Sequence, residues 1–354
     1  MFIRTDETDS PALRVRVTMS IFDYTARSRP VSGDPAAADA WRGFMTAASR
    51  LSDLDDEADP FARFVASWPH RSAVKRPEPD FSQVFDASRP DFLVDLLPFR
   101  DHQDFVGAPE HLRQAVLSCG WLAYNARTIA VEARVVSPAC MHVVDDVLPG
   151  IPSRRYREAI AEALVDESYH ILLTSNACDV TRIHRELDHV RLPPFDLVQL
   201  LQAEQDAHPE PWKKILVQVA AAVVSEMLVS DYLKLLSETD EVQPFNVLTT
   251  AIHRKDESAH NGLFKTLGTE LYQLLAPHEQ EFFRHILVKP ARWFASAELS
   301  VWQSMLEQIE FPNAARMIAD CRDQGQLVQP SLDLSSLQRL YNELELTAPD
   351  SVLD

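Results

Sequence analysis

The sequence predicts an all-α protein: a four-helix core with additional flanking helices and an irregular N-terminal wrap. Three observations predict it. Glycine is scarce, 8 among 354 residues, too few for the turns and phosphate loops of an all-β or doubly wound chain. Four long stretches of helical text follow residue 108, and no alternating strand pattern of comparable strength competes with them. A short segment, D-E-x-x-H, occurs on the second stretch and again on the fourth.

Residues 1–108 are expected to form the wrap rather than an independent domain, and residues 109–354 the helical domain. Prolines at 11, 30, 35, 60, 69, 77, 79, 90, 98 and 109 leave room only for short helices, such as 37–54 and 60–68. The first long helix is expected over 109–136, with Pro109 at its first position. The second, 153–187, follows the break Pro149-Gly150-Ile151-Pro152, with Ser153 as its cap. The third covers 209–237, and the fourth, 244–275, stops at Pro277. Shorter helices are expected at 278–288, 295–309, 313–324 and 335–345.

Hydrophobic residues make up 46% and charged residues 25%, the balance of a soluble globular protein. The net charge of −19 argues against nucleic-acid binding, which needs a basic surface, and against docking on anionic lipid. The longest apolar run, 215–224, is interrupted by Gln218 and is too short to span a bilayer. No membrane partner is therefore expected. Cys119, Cys140, Cys178 and Cys321 contain no C-x-x-C pair, which disfavours a zinc ribbon or an iron–sulfur site. The first ten residues are polar and acidic, unlike a secretory leader, so a cytoplasmic location is expected.

The chemistry concentrates on the four long helices. Residues three and four apart share a helix face, so Glu167 points with His170, and Glu257 with His260. His253 precedes His260 by seven residues, close to two turns, and joins that face. The first and third long helices each set one carboxylate in apolar text, Glu132 and Glu226. Taken singly, these residues have plain readings. An E-x-x-H is common by chance on solvated helix faces, Glu132 could pair with Arg127 or Arg134, and a lone histidine is more often packed than ligating. In order, on four long helices, Glu, Glu-x-x-His, Glu, Glu-x-x-His is the donor set of ferritin-like di-iron carboxylate proteins. Four buried carboxylates need compensating cations, and two ferrous ions would balance them. Mixed oxygen and imidazole donors suit iron or manganese better than calcium. Asp166 and Asp256 precede the ligand glutamates and can accept the free ring N–H of a metal-bound histidine. The other nine histidines, such as His70, His142 and His184, lack such company.

At these residues the sequence resembles the p-aminobenzoate N-oxygenase type of di-iron monooxygenase, found in natural-product pathways. The resemblance runs roughly from Trp121 to Phe264. It is carried by the stretch from Tyr124 to Glu132, the segment Asp166 to His170, Ser225-Glu226-Met227-Leu228, and the segment His253 to His260. His253 matches a third histidine ligand that the family adds to the ferritin-like set. The resemblance implies seven metal ligands, Glu132, Glu167, His170, Glu226, His253, Glu257 and His260, with Asp166 and Asp256 behind them. It implies two iron ions as cofactor, with manganese the alternative, dioxygen as oxidant, and a small-molecule amine oxidised at nitrogen to a hydroxylamine, nitroso or nitro product. It further implies an external electron donor, a reductase or ferredoxin, and a homodimer.

For the substrate, Tyr124, Thr128 and Glu132 fall four apart on one face. Arg127 matches a family position able to bind an acidic group; its plain reading is an ordinary ion pair. Ser230 lies one turn beyond Glu226, and Tyr232 is bulky enough to narrow or re-aim the pocket. The amine is therefore expected to be an amino-acid derivative or another small amine rather than an arylamine. Two other readings stay open at this point: a di-iron hydroxylase or desaturase acting on C–H bonds, and a non-catalytic iron-binding or storage bundle.

Overall fold

Helix follows helix along the computed structural model, which describes residues 59–77, 85–148, 154–328 and 334–344. In chain order the helices are α1 Pro60–Arg71, α2 Gln103–Val106, α3 Glu110–Val131, α4 Ser137–Val144, α5 Arg154–Arg185, α6 Asp196–Asp206 and α7 Pro211–Ser237. They continue with α8 Pro244–Leu274, α9 Pro277–Leu287, α10 Lys289–Phe294, α11 Leu299–Gln308, α12 Ala314–Asp323 and α13 Ser335–Glu343. Among the described residues no strand forms; a single bridge joins Ser296 to Val328. The chain is all-α.

Local chemistry explains where the helices begin. Asp59 caps α1, its carboxylate accepting from the amides of Phe61 and Ala62 at 3.3 and 3.2 Å, with Pro60 at the first position. Pro211, Pro244 and Pro277 likewise open α7, α8 and α9, where a missing N–H is harmless.

The core is a ring of four helices. α3 packs on α5, α5 on α8, and α8 along α7, which closes the ring against the turn that follows α3. Every residue of α7 from Leu216 to Val229 is buried, as befits a helix apolar on all sides. By length and composition α7 is the one described helix able to cross a membrane, but 78% of its most apolar window lies inside the protein. α7 and α8 approach closely: a Cβ added at Gly268 would stand 3.0 Å from a Val223 methyl. The described residues fall within one unit, Glu57–Asp354, so the proline-rich stretch from residue 59 packs with the helices that follow it.

The first long helix departs from its expected form. It does not stop at 136 but widens into a π turn over Glu132–Val136 and continues as α4. Pro138 supplies the reason. It has no N–H for the carbonyl of Arg134, four residues earlier, and its ring crowds that carbonyl. Gln218 of α7 takes over the missing role, donating from Nε2 to Arg134 O at 3.0 Å and Val135 O at 2.7 Å. Glu132 sits at the start of this turn.

Three other expectations are refined. The helix predicted at 295–309 begins only at Leu299, as α11, after Glu298 adopts a left-handed backbone with φ 52°, and the short α10 before it was not predicted. Sequence reading missed α6, whose apolar face is short. The helix predicted at 37–54 lies outside the described residues. One prediction follows. Gln218→Leu keeps the side-chain volume but leaves the Arg134 and Val135 carbonyls without their partner, so the folding free energy falls by about 1–3 kcal/mol. A denaturant midpoint equal to that of the parent would show that these bonds do not hold the turn.

Candidate metal centre

The helical spacing of the sequence brings seven donors into one interior. Glu132 comes from the π turn, Glu167 and His170 from α5, Glu226 from α7, and His253, Glu257 and His260 from α8. None is more than 1% exposed. Their ligand atoms form two overlapping groups, each with its atoms within 4.8 Å of one another. One holds Glu132, His170, His253 and Glu257; the other holds Glu167, Glu226, Glu257 and His260. Glu257 belongs to both. Glu167 also faces both ways, with Oε2 3.1 Å from His170 Nδ1 and Oε1 2.9 Å from His260 Nδ1.

The shorter contacts converge on Glu257 Oε1, which lies 3.0 Å from His170 Nδ1 and 3.1 Å from His253 Nε2. His253 Nε2 is also 3.5 Å from Glu132 Oε1, and His260 Nδ1 is 3.6 Å from Glu226 Oε2. Many of these atoms lack hydrogen-bond partners. Glu132 Oε2, Glu167 Oε1, both Glu226 oxygens, Glu257 Oε2 and His260 Nδ1 are buried and unsatisfied. His260 Nδ1 and Glu167 Oε1 approach without hydrogen-bond alignment. Buried polar atoms of this kind are costly unless something binds them, and a cation between them is the natural partner. The donor set fits a pair of metal ions.

Without cations, protons carry the charge balance. Burial, reinforced by the negative charges of Glu167 and Glu257, pushes the Glu132 and Glu226 carboxyls well above their usual range. Burial would also raise Glu257 and Glu167, but the His260 charge and hydrogen bonds from the histidines outweigh it, leaving Glu257 well below normal and Glu167 at about 2. Burial opposes the charged imidazoles of His170 and His260, yet Asp256 and Glu167 for the first, and Glu167 and Glu257 for the second, raise both well above normal. Burial and then the neighbouring His170 charge lower His253.

Behind the histidines the two aspartates cross over. Asp166, from the first D-E-x-x-H, sits 3.2 Å from His260 Nε2 of the second, and Asp256 sits 3.4 Å from His170 Nε2 of the first. Each therefore turns the partner motif's Nδ1 toward the donors. The end of α1 ties both aspartates. Trp68 Nε1 and Ser72 Oγ donate to Asp166 at 3.0 and 2.5 Å, while the Ala73 amide and Arg71 Nη1 donate to Asp256 at 3.0 and 3.2 Å.

Comparison with known proteins agrees with this arrangement. The sequence profile of the p-aminobenzoate N-oxygenase AurF family matches residues 55–344. The chain belongs to the p-aminobenzoate N-oxygenase family. A 4-aminobenzoate N-oxygenase of Streptomyces thioluteus is 30% identical over 288 residues, covering 80% of this chain and 85% of the relative. The protein is thus an enzyme, an oxidoreductase of the N-oxygenase type on a ferritin-like helical core. An N-oxygenase of this family implies a metal cofactor and oxygen, and the buried His and Glu groups are where a metal fits.

Of the residues expected on the substrate side of this N-oxygenase, Tyr124, Arg127 and Tyr232 meet at one pocket, with Phe92, Phe195 and Trp302 among its other walls. Tyr124 and Tyr232 stack with centroids 4.5 Å apart. Thr128 is buried, but its hydroxyl donates to the Tyr124 carbonyl at 3.1 Å, as helix threonines do. Ser230 is half-buried on α7 and is not among the pocket's walls. Sequence reading missed two contributions. Glu298 lines the pocket beside Arg127, and the Trp68–Ala73 stretch braces the aspartates. Neither carries a local motif; both act across long chain separations.

Two outcomes are expected. Asp166→Asn or Asp256→Asn weakens metal binding by about ten- to a hundredfold with an unchanged helical spectrum, read by equilibrium metal titration. Metal binding also tightens as pH rises, because Glu132 and Glu226 hold protons that a cation must displace. Calorimetry in buffers of different ionisation enthalpy should register proton release; affinity that is flat between pH 6 and 8 would contradict this account of the charge.

Proposed function

We propose that the enzyme holds two iron ions through Glu132, Glu167, His170, Glu226, His253, Glu257 and His260, and uses dioxygen to oxidise the nitrogen of a small amine. The product is a hydroxylamine, nitroso or nitro compound of a natural-product pathway. The observation that carries this reading is the pair of four-donor groups sharing Glu257, in a chain of the N-oxygenase family. Four carboxylates match the charge of two ferrous ions, and mixed nitrogen and oxygen donors suit iron, with manganese the alternative. Bound iron would supply the activation of dioxygen.

The protein's own part is to position and to exclude. Asp166 and Asp256 keep Nε2 of the opposite histidine protonated, so that Nδ1 offers its lone pair inward. Glu257 and Glu167 face both groups and fix their spacing. The apolar surface of α7 and the ring of Phe64, 5.9 Å from that of His260, keep water from the centre. The 4-aminobenzoate named for the Streptomyces relative makes an arylamine the first substrate to try.

The proposal includes an external electron donor, a reductase or ferredoxin, and a cytoplasmic setting, with which four buried free thiols agree. It also includes a homodimer. Val165, Leu172 and Ile183 expose apolar side chains along one face of α5, which supports a pairing surface.

The test is to load the protein with ferrous iron, supply reductant and oxygen with a panel of arylamines, and follow products by mass spectrometry. Nitrogen-oxidised products are expected; carbon oxidation alone would turn the reading to a hydroxylase. His253→Ala should lower iron content and turnover while the helices stay folded. Unchanged values for both would remove His253 from the ligand set.

A further inference from the structure

Glu132, in the π turn that follows α3, is the donor nearest that helix, and the pocket described above lies at the level of Tyr124, eight residues earlier on α3. We propose that this pocket is a far-end substrate subsite. It selects amines whose distal group is neutral and protic, a hydroxyl or primary amide, over amines ending in a free carboxylate. The inference rests on the amine N-oxygenase reading and names the substrate class for it.

Three unpartnered polar atoms carry it. Tyr124, Arg127 and Glu298 are 3, 4 and 5% exposed. The Tyr124 hydroxyl, Arg127 Nε and Glu298 Oε1 each lack a hydrogen-bond partner, and all three residues line the pocket. Arg127 Nε and Glu298 Oε1 are 3.6 Å apart, attracted as an ion pair but too distant for a direct hydrogen bond. The rest of each side chain is tied down. Arg127 Nη2 donates to the Phe294 carbonyl, with the guanidinium 4.5 Å over the Phe294 ring. Glu298 Oε2 accepts from the Asp196 amide at 2.8 Å. The Tyr124 ring stacks with Trp121 on one hand and Tyr232 on the other.

What remains unpartnered is one Arg127 N–H, a Tyr124 hydroxyl that can donate or accept, and a Glu298 oxygen that only accepts when the carboxyl is ionised. A hydroxyl or amide can accept from Arg127 Nε or Tyr124 and donate to Glu298 Oε1, so it meets both a donor and the acceptor. A carboxylate only accepts, so it leaves Glu298 Oε1 bare and sets a second negative charge beside it. An apolar end leaves every polar atom orphaned. Sites built to hydrogen-bond a substrate reject analogues that cannot complete the pairing.

Glu298 is held at this point against backbone preference, with φ 52° for a non-glycine residue at the start of α11. Burial raises its carboxyl to about 7 against the pull of Arg127, with Asp196 the other charged neighbour. The distance suits an aromatic spacer. Tyr124 precedes Glu132 by eight residues, a rise of about 12 Å along α3.

The experiment compares 4-aminobenzyl alcohol, 4-aminobenzamide and 4-aminobenzoate on the iron-loaded enzyme. Binding is measured by anaerobic calorimetry and turnover with reductant and oxygen, in the parent and in Glu298→Gln. At pH 8 the neutral compounds should bind at least about tenfold more tightly than 4-aminobenzoate. Glu298→Gln should narrow that preference, chiefly through a lower KM for 4-aminobenzoate. Equal or tighter binding of 4-aminobenzoate by the parent would overturn the subsite, even with nitrogen oxidation intact. The predicted binding order without any nitrogen-oxidised product would instead sink the N-oxygenase reading and leave the subsite standing. The parent's binding order decides the matter even where the variant does not fold.

Discussion

Buried charge is the constraint on which the rest of this structure depends. Four carboxylates and three imidazoles sit at no more than 1% exposure inside a helical interior. Each ion removed from water costs several kcal/mol, against a folding free energy of about 5–15 kcal/mol for a whole domain. The surrounding features answer that cost. α7 supplies an apolar wall, α8 packs on it closely enough that a Cβ at Gly268 would crowd Val223, and the aspartates give the outer imidazole nitrogens their partners. What is left over, a set of unsatisfied oxygens and one imidazole nitrogen facing one another, is what a pair of cations would complete.

The proline-rich stretch before α3 is part of this answer. Arg71 lies 3.2 Å from Asp256 and 3.6 Å from Asp166, bringing one positive charge to two buried negative ones. Trp68, Ser72 and Ala73 fill the remaining acceptor positions. An irregular segment suits this work. A regular helix would have to point donors at two aspartates from one face, whereas the helix end of α1 offers a freed amide, a hydroxyl and a guanidinium within a few residues.

Much of this was legible in the sequence, and the limits have physical causes. Glycine scarcity and helical periodicity predicted the all-α class, because both are properties of local text. The seven donors that the structure gathers were readable for the same reason: E-x-x-H and His253 share faces by helical spacing alone. The long helices were placed to within a few residues, except where Pro138 widened the first instead of ending it. The crossing of the aspartates was not readable, since His170 and Asp256 are 86 residues apart and either pairing is compatible with the motifs. Nor were Ser72 and Ala73, which reach partners 94 and 183 residues away. Glu298 gave no signal, because its role depends on a left-handed residue just before α11, inside text that reads as continuous helix from 295.

The π turn at Glu132 has a geometric consequence. An α-helix ties every side chain to its neighbours by about 100° per residue, so moving one residue inward moves all the others. One widened turn releases that tie. The segment that carries Tyr124 and Arg127 and the segment that carries Cys140 are aimed separately, with Glu132 at the joint between them. The half of the helix that lines the pocket and the half beyond can therefore take separate rotations, and the joint absorbs the difference.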